Sequence, residues 1–181
     1  NATGTVTENA TGTINGTVMG AVTVNDADAS LGGSGDFQGG LTITNGVLAP
    51  GQSPGEITVS GGDFVLGAGA TLSVEVDEEG NHDSIRITDD SNANFVTGAK
   101  VVAVAVGDAL DGTYDIATLE GAGHIQVDGA NQAADANLAD FIENTDLATI
   151  SSLLVDDTGK IVEMSVDFTP NVDYLTGASR T

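Results

Sequence analysis

Two prolines and two glycines fall within Pro50-Gly51-Gln52-Ser53-Pro54-Gly55, and neither a helix nor a central strand can run through such a string. Each proline fixes φ and removes a backbone donor, while each glycine admits φ > 0. The stretch is therefore a rigid corner, entered from Leu41-Thr42-Ile43 and left through Ile57-Thr58-Val59. Pro50, Gly51, Ser53, Pro54 and Gly55 are its expected structural residues.

The same grammar recurs on both sides of the corner. Apolar-x-apolar triplets begin at Val22, Leu41, Ile57 and Leu72, separated by Asn25-Asp26-Ala27-Asp28, Gly32-Gly33-Ser34-Gly35-Asp36 and Gly61-Gly62-Asp63. A strand followed by a turn at intervals of roughly 20 residues is what the coils of a β-solenoid produce. The intervals are uneven, so irregular coils are expected. A sandwich of short antiparallel strands also fits turns at this density.

The chain has 181 residues, of which 40% are hydrophobic but only 4% aromatic, so a sizeable interior would be built from Val, Ile, Leu and Ala. The 25 glycines carry no collagen period and read as turn residues. The net charge is −23, with Arg86, Lys100, Lys160 and Arg180 the four basic residues. Four scattered cations cannot neutralise a run of phosphates, which argues against nucleic acid and anionic membrane as partners. Such a surface stays soluble, most usefully in salt that screens it. With no cysteine there is no disulfide framework, thiol catalysis or thiolate metal site. No apolar run approaches the ~20 residues of a membrane-spanning helix. The first residue is Asn1 rather than Met, so a processed or cut product is expected.

Along the chain, residues 1–20 carry an echo, Asn1-Ala2-Thr3-Gly4-Thr5 and Asn9-Ala10-Thr11-Gly12-Thr13, with Val6, Ile14 and Val18 alternating among Thr and Gly. This is a thin strand segment, expected to be held by stacking on a larger sheet or by a neighbouring subunit. Residues 21–130 form the expected solenoid, and 131–181 a helix plus hairpin cap. Within the solenoid, Ala99–Val106 reads as a strand buried on both faces, and Tyr114–Leu119 and Ile125–Val127 as shorter strands. Ala133, Ala134, Leu138, Phe141 and Ile142 fall at helical spacing, predicting a short helix over 131–144 that lids the stack. Leu147–Leu154 and Ile161–Phe168 then form a hairpin through Asp156-Asp157-Thr158-Gly159, while 171–181 show no pattern beyond Tyr174 and Leu175. The fold expected is all-β: a right-handed parallel β-solenoid with irregular coils, a short capping helix and a C-terminal hairpin.

A longer pattern joins these pieces. Leu41-Thr42-Ile43, Gly46 through Gly55, Val59, Gly62-Asp63-Phe64, Leu72, Val74-Glu75-Val76, Gly80 and Asp83-Ser84-Ile85 together resemble the C-terminal passenger region of bacterial autotransporters. The resemblance spans roughly residues 20–168, and its specific part is the proline-glycine corner. Gly112–Ala117 is similar to a later strand of that family, and the final hairpin to its pre-barrel end. The resemblance implies a right-handed parallel β-solenoid that is exported, at or shed from the surface of a Gram-negative cell, and acts as a stem or folding nucleus. The membrane barrel that follows in that family is not among these residues. The expectation is either a cleaved piece or a module adopted as an independent secreted subunit.

Candidate chemistry is sparse. Gly51-Gln52-Ser53-Pro54-Gly55 matches the G-x-S-x-G nucleophile elbow, with His82 and His124 as the available bases. Pro54, however, removes the N–H that an oxyanion hole needs, and strand grammar follows where a helix should. His82 with Asp83 and Glu79, Asp26 with Asp28, and Asp89 with Asp90 are candidate metal ligands; calcium would suit an acidic, oxygen-rich chain, although no EF-hand string is present and solvated surface is the favoured reading. His124 reads as a turn or strand residue. A glycosidase carboxylate pair is not singled out, and five Phe and two Tyr supply little for sugar stacking. No phosphate loop is present. Asn-x-Thr triplets at Asn1, Asn9 and Asn15 match glycosylation acceptors, as Thr/Asn-rich strands do by chance.

No catalytic or cofactor-binding residue is therefore expected. The expectation is a structural protein of the cell surface, assembling head-to-tail or by strand donation through the coil ends and the N-terminal strand into a filament or matrix. A stem of an adhesin or secreted enzyme is the alternative, and a polysaccharide-acting enzyme the third reading.

Overall fold

The computed structural model describes residues 4–6 and 10–169. The described chain is nearly all β, and from β3 to β10 consecutive strands alternate between two sheets. The first sheet takes β1 (Gly4–Val6), β2 (Thr11–Thr13), β4 (Val22–Gly33), β6 (Leu41–Pro50), β8 (Phe64–Val76), β10 (Ala93–Phe95), β11 (Lys100–Ala105), β13 (Ile125–Val127) and β14 (Ala130–Asn131). The second takes β3 (Thr17–Val18), β5 (Asp36–Phe37), β7 (Glu56–Val59), β9 (Ser84–Ile87), β12 (Gly112–Leu119), β15 (Ala148–Val155) and β16 (Ile161–Phe168).

Pairing within each sheet is mostly parallel, and it sets residues of successive passes directly over one another. One column of the first sheet runs Val22, Leu41, Phe64, Ala93, Ile125. A second runs Gly12, Leu31, Leu48, Leu72, Val101. The other sheet stacks Val18, Phe37, Val59, Ile87, Leu119. From Val22 to Ile125, from Leu31 to Val101 and from Phe37 to Leu119 these side chains are buried. They belong to one apolar cluster that extends to Phe168. Each fully buried Leu, Ile or Phe is worth about 1.5–3 kcal/mol of transfer free energy, so the columns supply the main stabilisation. Threonines between them face outward, which is why apolar-Thr-apolar triplets recur.

The parallel order ends at one end of the columns. β13 folds back on β14 antiparallel, and β12 pairs antiparallel with β16, which pairs antiparallel with β15. The C-terminal hairpin expected from the sequence is this β15–β16 pair. Its turn is fastened by Asp156, whose Oδ1 accepts the N–H groups of Lys160 and Ile161 and whose Oδ2 accepts the Thr158 hydroxyl.

Two expectations are corrected. The helix over 131–144 does not form; a single 3₁₀ turn at Ala139–Phe141 is the helical element there. Asp135 adopts φ 60°, which breaks a right-handed helix, and Asn137 Oδ1 takes the N–H of Ala139. The N–H groups of Asp135 and Leu138 donate to Val155 and Leu153 of β15, so tertiary pairing replaces the i−4 ladder. Covering the sheet end falls to this irregular segment: Phe141 packs on Phe95 with ring centroids 5.7 Å apart. Second, the Ala99–Val106 strand is not buried on both faces. β11 pairs with β8 along one edge, and Ile142 bridges Val101. Its side chains alternate, with Val101 and Ala103 inside and Val104 exposed.

Candidate functional site

The corner is built from the two strands it joins. β6 ends at Pro50, and the next residue, Gly51, exchanges both backbone hydrogen bonds with Gly33 at 2.7 and 3.1 Å. Gly51 has φ 87°, and a Cβ there would overlap the backbone of Gly55, so only glycine fits. Ser53 also sits at positive φ, 57°.

The residue that fastens this turn is Asp83, 0% exposed. Its Oδ1 accepts the Gly55 N–H at 2.8 Å and its Oδ2 the Glu75 N–H at 2.9 Å. Its own N–H donates to the Glu75 carbonyl, and the Ser84 N–H to the Gly55 carbonyl. One carboxylate thus ties the corner, β8 and the entry to β9. Burial pushes its pKa from 3.8 up to about 6, against the two backbone N–H groups that pull it down and with the neighbouring Glu75 charge adding to the rise.

The residues weighed for chemistry are dispersed. The His82 ring lies against Tyr114, centroids 5.0 Å apart, with Nε2 3.2 Å from the Asp115 carbonyl and Nδ1 3.4 Å from that of Gly80. The His124 N–H donates to Asn92 Oδ1. Neither histidine bonds Ser53 among the described residues, and Pro54 occupies the position of the missing oxyanion donor. The acidic candidates hold backbone: Asp26 Oδ1 takes the Asp28 N–H within its own loop, and Asp90 Oδ1 takes the N–H of Ala122, 32 residues on; beside Glu79, Asp77 takes the N–H groups of Glu79 and Asn81. Among the described residues no three His, Asp or Glu side chains gather to hold a metal ion.

What the acids and asparagines do is brace one pass against the next. Asn15 Oδ1 accepts the Ser34 N–H, and Asn45 Nδ2 donates to Asn25 Oδ1. Asp63 Oδ1 accepts the Asn92 N–H, Asn94 Oδ1 the Gly129 N–H, and Asp128 binds both the N–H and hydroxyl of Thr97. These last two bonds from Thr97 hold the Asp128 carboxyl below the usual carboxylate range. The sequence shows these residues only as turn formers; their roughly coil-length spacing is the signal that could have found the bracing. Of the glycosylation triplets, Asn1 and Asn9 lie outside the described residues, as does 171–181.

Two further features mark opposite ends of the columns. A groove of 490 Å³ runs past Ala105, Leu110, Leu147 and Phe168 with Asp108 and Asp111 on its rim. At the other end of the columns Met19 stands 77% exposed. Among the described residues no helix is long and apolar enough to cross a membrane. No family model matches the chain, and no curated protein or solved structure matches it either.

Proposed function

We propose that this chain is a structural module of a secreted or cell-surface protein of a Gram-negative bacterium, a right-handed parallel β-solenoid that self-assembles through its open end. The observation that carries the reading is the asymmetry of the stack. Parallel columns are closed by antiparallel pairs at the end formed by β13–β16, while β1, β2 and β3 pair only inward among the described residues. Parallel crossovers within a sheet are right-handed in nearly all proteins, which supports the handedness. The corner is a fastened turn, with Ser53 carrying no catalytic partner. The acidic surface with its bracing network suits a salty exterior that screens it. An end that is left unpaired is where a neighbour adds.

The same asymmetry supports a second reading, in which these residues are the stem of a longer adhesin or secreted enzyme whose earlier coils stack on β1–β3. The length of the open reading frame separates the two. Small-angle scattering of the purified chain in about 0.5 M salt, where the Debye length is only a few Å, tests the shared claim. A particle elongated along the columns, with one cross-section whether one copy is present or copies have joined end to end, is the expected result. A compact, isometric particle, or an ester- or glycoside-cleaving activity lost in Ser53→Ala, would overturn it.

A further inference from the structure

Residues 9–25 contain no Asp, Glu, Lys or Arg in a chain whose net charge is −23. The fold spends this uncharged stretch on one end. β1 and β2 in the first sheet and β3 in the second are the outermost described strands, and among the described residues β1 and β2 bond only β4 while β3 bonds only β5. The inward N–H and C=O groups of this pass are used: Ile14 N–H goes to Gly32, Asp36 N–H to Gly16 and Gln38 N–H to Val18. The outward backbone groups of β2 and β3 have no partner among the described residues. Ile14 and Val18 are only partly buried, and Met19 is the most exposed of the large apolar side chains described.

We infer that the occupant of this end is a second copy of the chain, docked by its own β2–β3 pass across a two-fold axis. All 27 acidic residues lie outside residues 9–25, so contacts made elsewhere bring carboxylates together, whereas two ends built from this stretch meet with less of that repulsion. The opposite end offers no complementary ladder, because β14 and the β15–β16 hairpin already fold back over most of it. The same patch must then meet itself, which is an isologous contact that closes at two copies. A two-fold of this kind sets the facing edge strands antiparallel, the pairing by which the chain terminates its own columns. The inference rests on the coil-stack reading and names the partner and the symmetry of its open end.

Sedimentation equilibrium of the full chain in about 0.5 M salt, where the acidic surfaces are screened, is the test. A monomer–dimer equilibrium is expected, tightening as salt rises. Met19→Asp should raise the dimer dissociation constant at least about tenfold by setting like charges across the axis. Gly16→Asp, at a position where an added Cβ meets nothing within 4 Å, should do the same. Leu147→Asp, at an exposed site near the other end, should leave it unchanged. A monomer at every concentration up to about 1 mM, species that grow past the dimer, or equal effects of all three variants would each overturn the inference; 1 mM corresponds to binding too weak to matter. A monomer that still scatters as a rod would sink the dimer alone and leave the coil stack standing.

Discussion

Asp83 gives the sharpest energetic test. Its folded pKa of about 6 lies above the ordinary 3.8, so the folded chain holds this proton more tightly than the unfolded chain does. The linked stabilisation is complete below pH 3.8 and is lost as pH rises through about 6. A rise of that size is worth roughly 3 kcal/mol at about 1.4 kcal/mol per unit. In Asp83→Asn the amide keeps one acceptor oxygen and turns an NH₂ toward the other backbone N–H, leaving Gly55 or Glu75 without its acceptor. That penalty is about 1–3 kcal/mol and does not vary with pH. At pH 4 the variant should therefore be the weaker of the two. By pH 7 the native protein should have lost its linked stabilisation, and the order should level or reverse. Urea unfolding followed by circular dichroism at pH 4, 5, 6 and 7 reads the difference, in which the remaining carboxylates cancel. Melting temperatures should shift relative to one another by roughly 6–12 °C across the range, at about 2–4 °C per kcal/mol for a chain of this length. A gap that is constant between pH 4 and 7, or one that widens against the variant as pH rises, would refute the reasoning.

Further perturbations follow from other contacts. Phe64→Ala removes a fully buried ring set edge-on to Phe95 at 6.4 Å, and thermal unfolding should show a loss of about 3–5 kcal/mol. Gly51→Ala forces a Cβ into the Gly55 backbone at positive φ and should cost at least about 1–3 kcal/mol by chemical denaturation. Ser53→Ala, whose hydroxyl has no bond among the described residues, should change stability by less than about 0.5 kcal/mol. Asp156 is held below the usual carboxylate range: burial opposes this, but the bonds from Thr158, Ile161 and Lys160 outweigh it. Its contribution is present above the unfolded pKa and is lost as pH falls through the folded one. Asp156→Ala should thus destabilise the hairpin at pH 7 and by less at low pH, read by hydrogen exchange of Leu153 and Met164.

Much of the architecture was legible because apolar-Thr-apolar triplets and the proline-glycine corner each have one local solution. Val22-Thr23-Val24 and Leu41-Thr42-Ile43 are strands, and they lie side by side in parallel. The uneven intervals have a cause that the sequence hides. Ile57-Thr58-Val59 belongs to the other sheet and Leu72 to the second column of the first, so the spacings mixed three columns. Taken column by column, the passes lengthen steadily, through 22, 41, 64, 93 and 125. Residues 131–144 misled because helical spacing of Leu138 and Phe141 serves a 3₁₀ turn equally well. The competing bonds to β15 come from residues far along the chain. Asp83 was visible beside His82 and within the passenger-like string but not as the fastener of the corner, since nothing local marks a carboxylate whose two partners are 28 and 8 residues away.

The parallel register itself can be read most directly in this cysteine-free chain by engineered cross-links. Glu56 lies opposite Ser84 and Thr58 opposite Arg86, at positions open to solvent on one face. Adjacent strands stand about 4.8 Å apart, within the reach of a disulfide. Cysteine pairs at 56/84 and 58/86 should oxidise readily, and those at 56/86 and 58/84 poorly. The reverse order of yields would contradict stacked parallel passes.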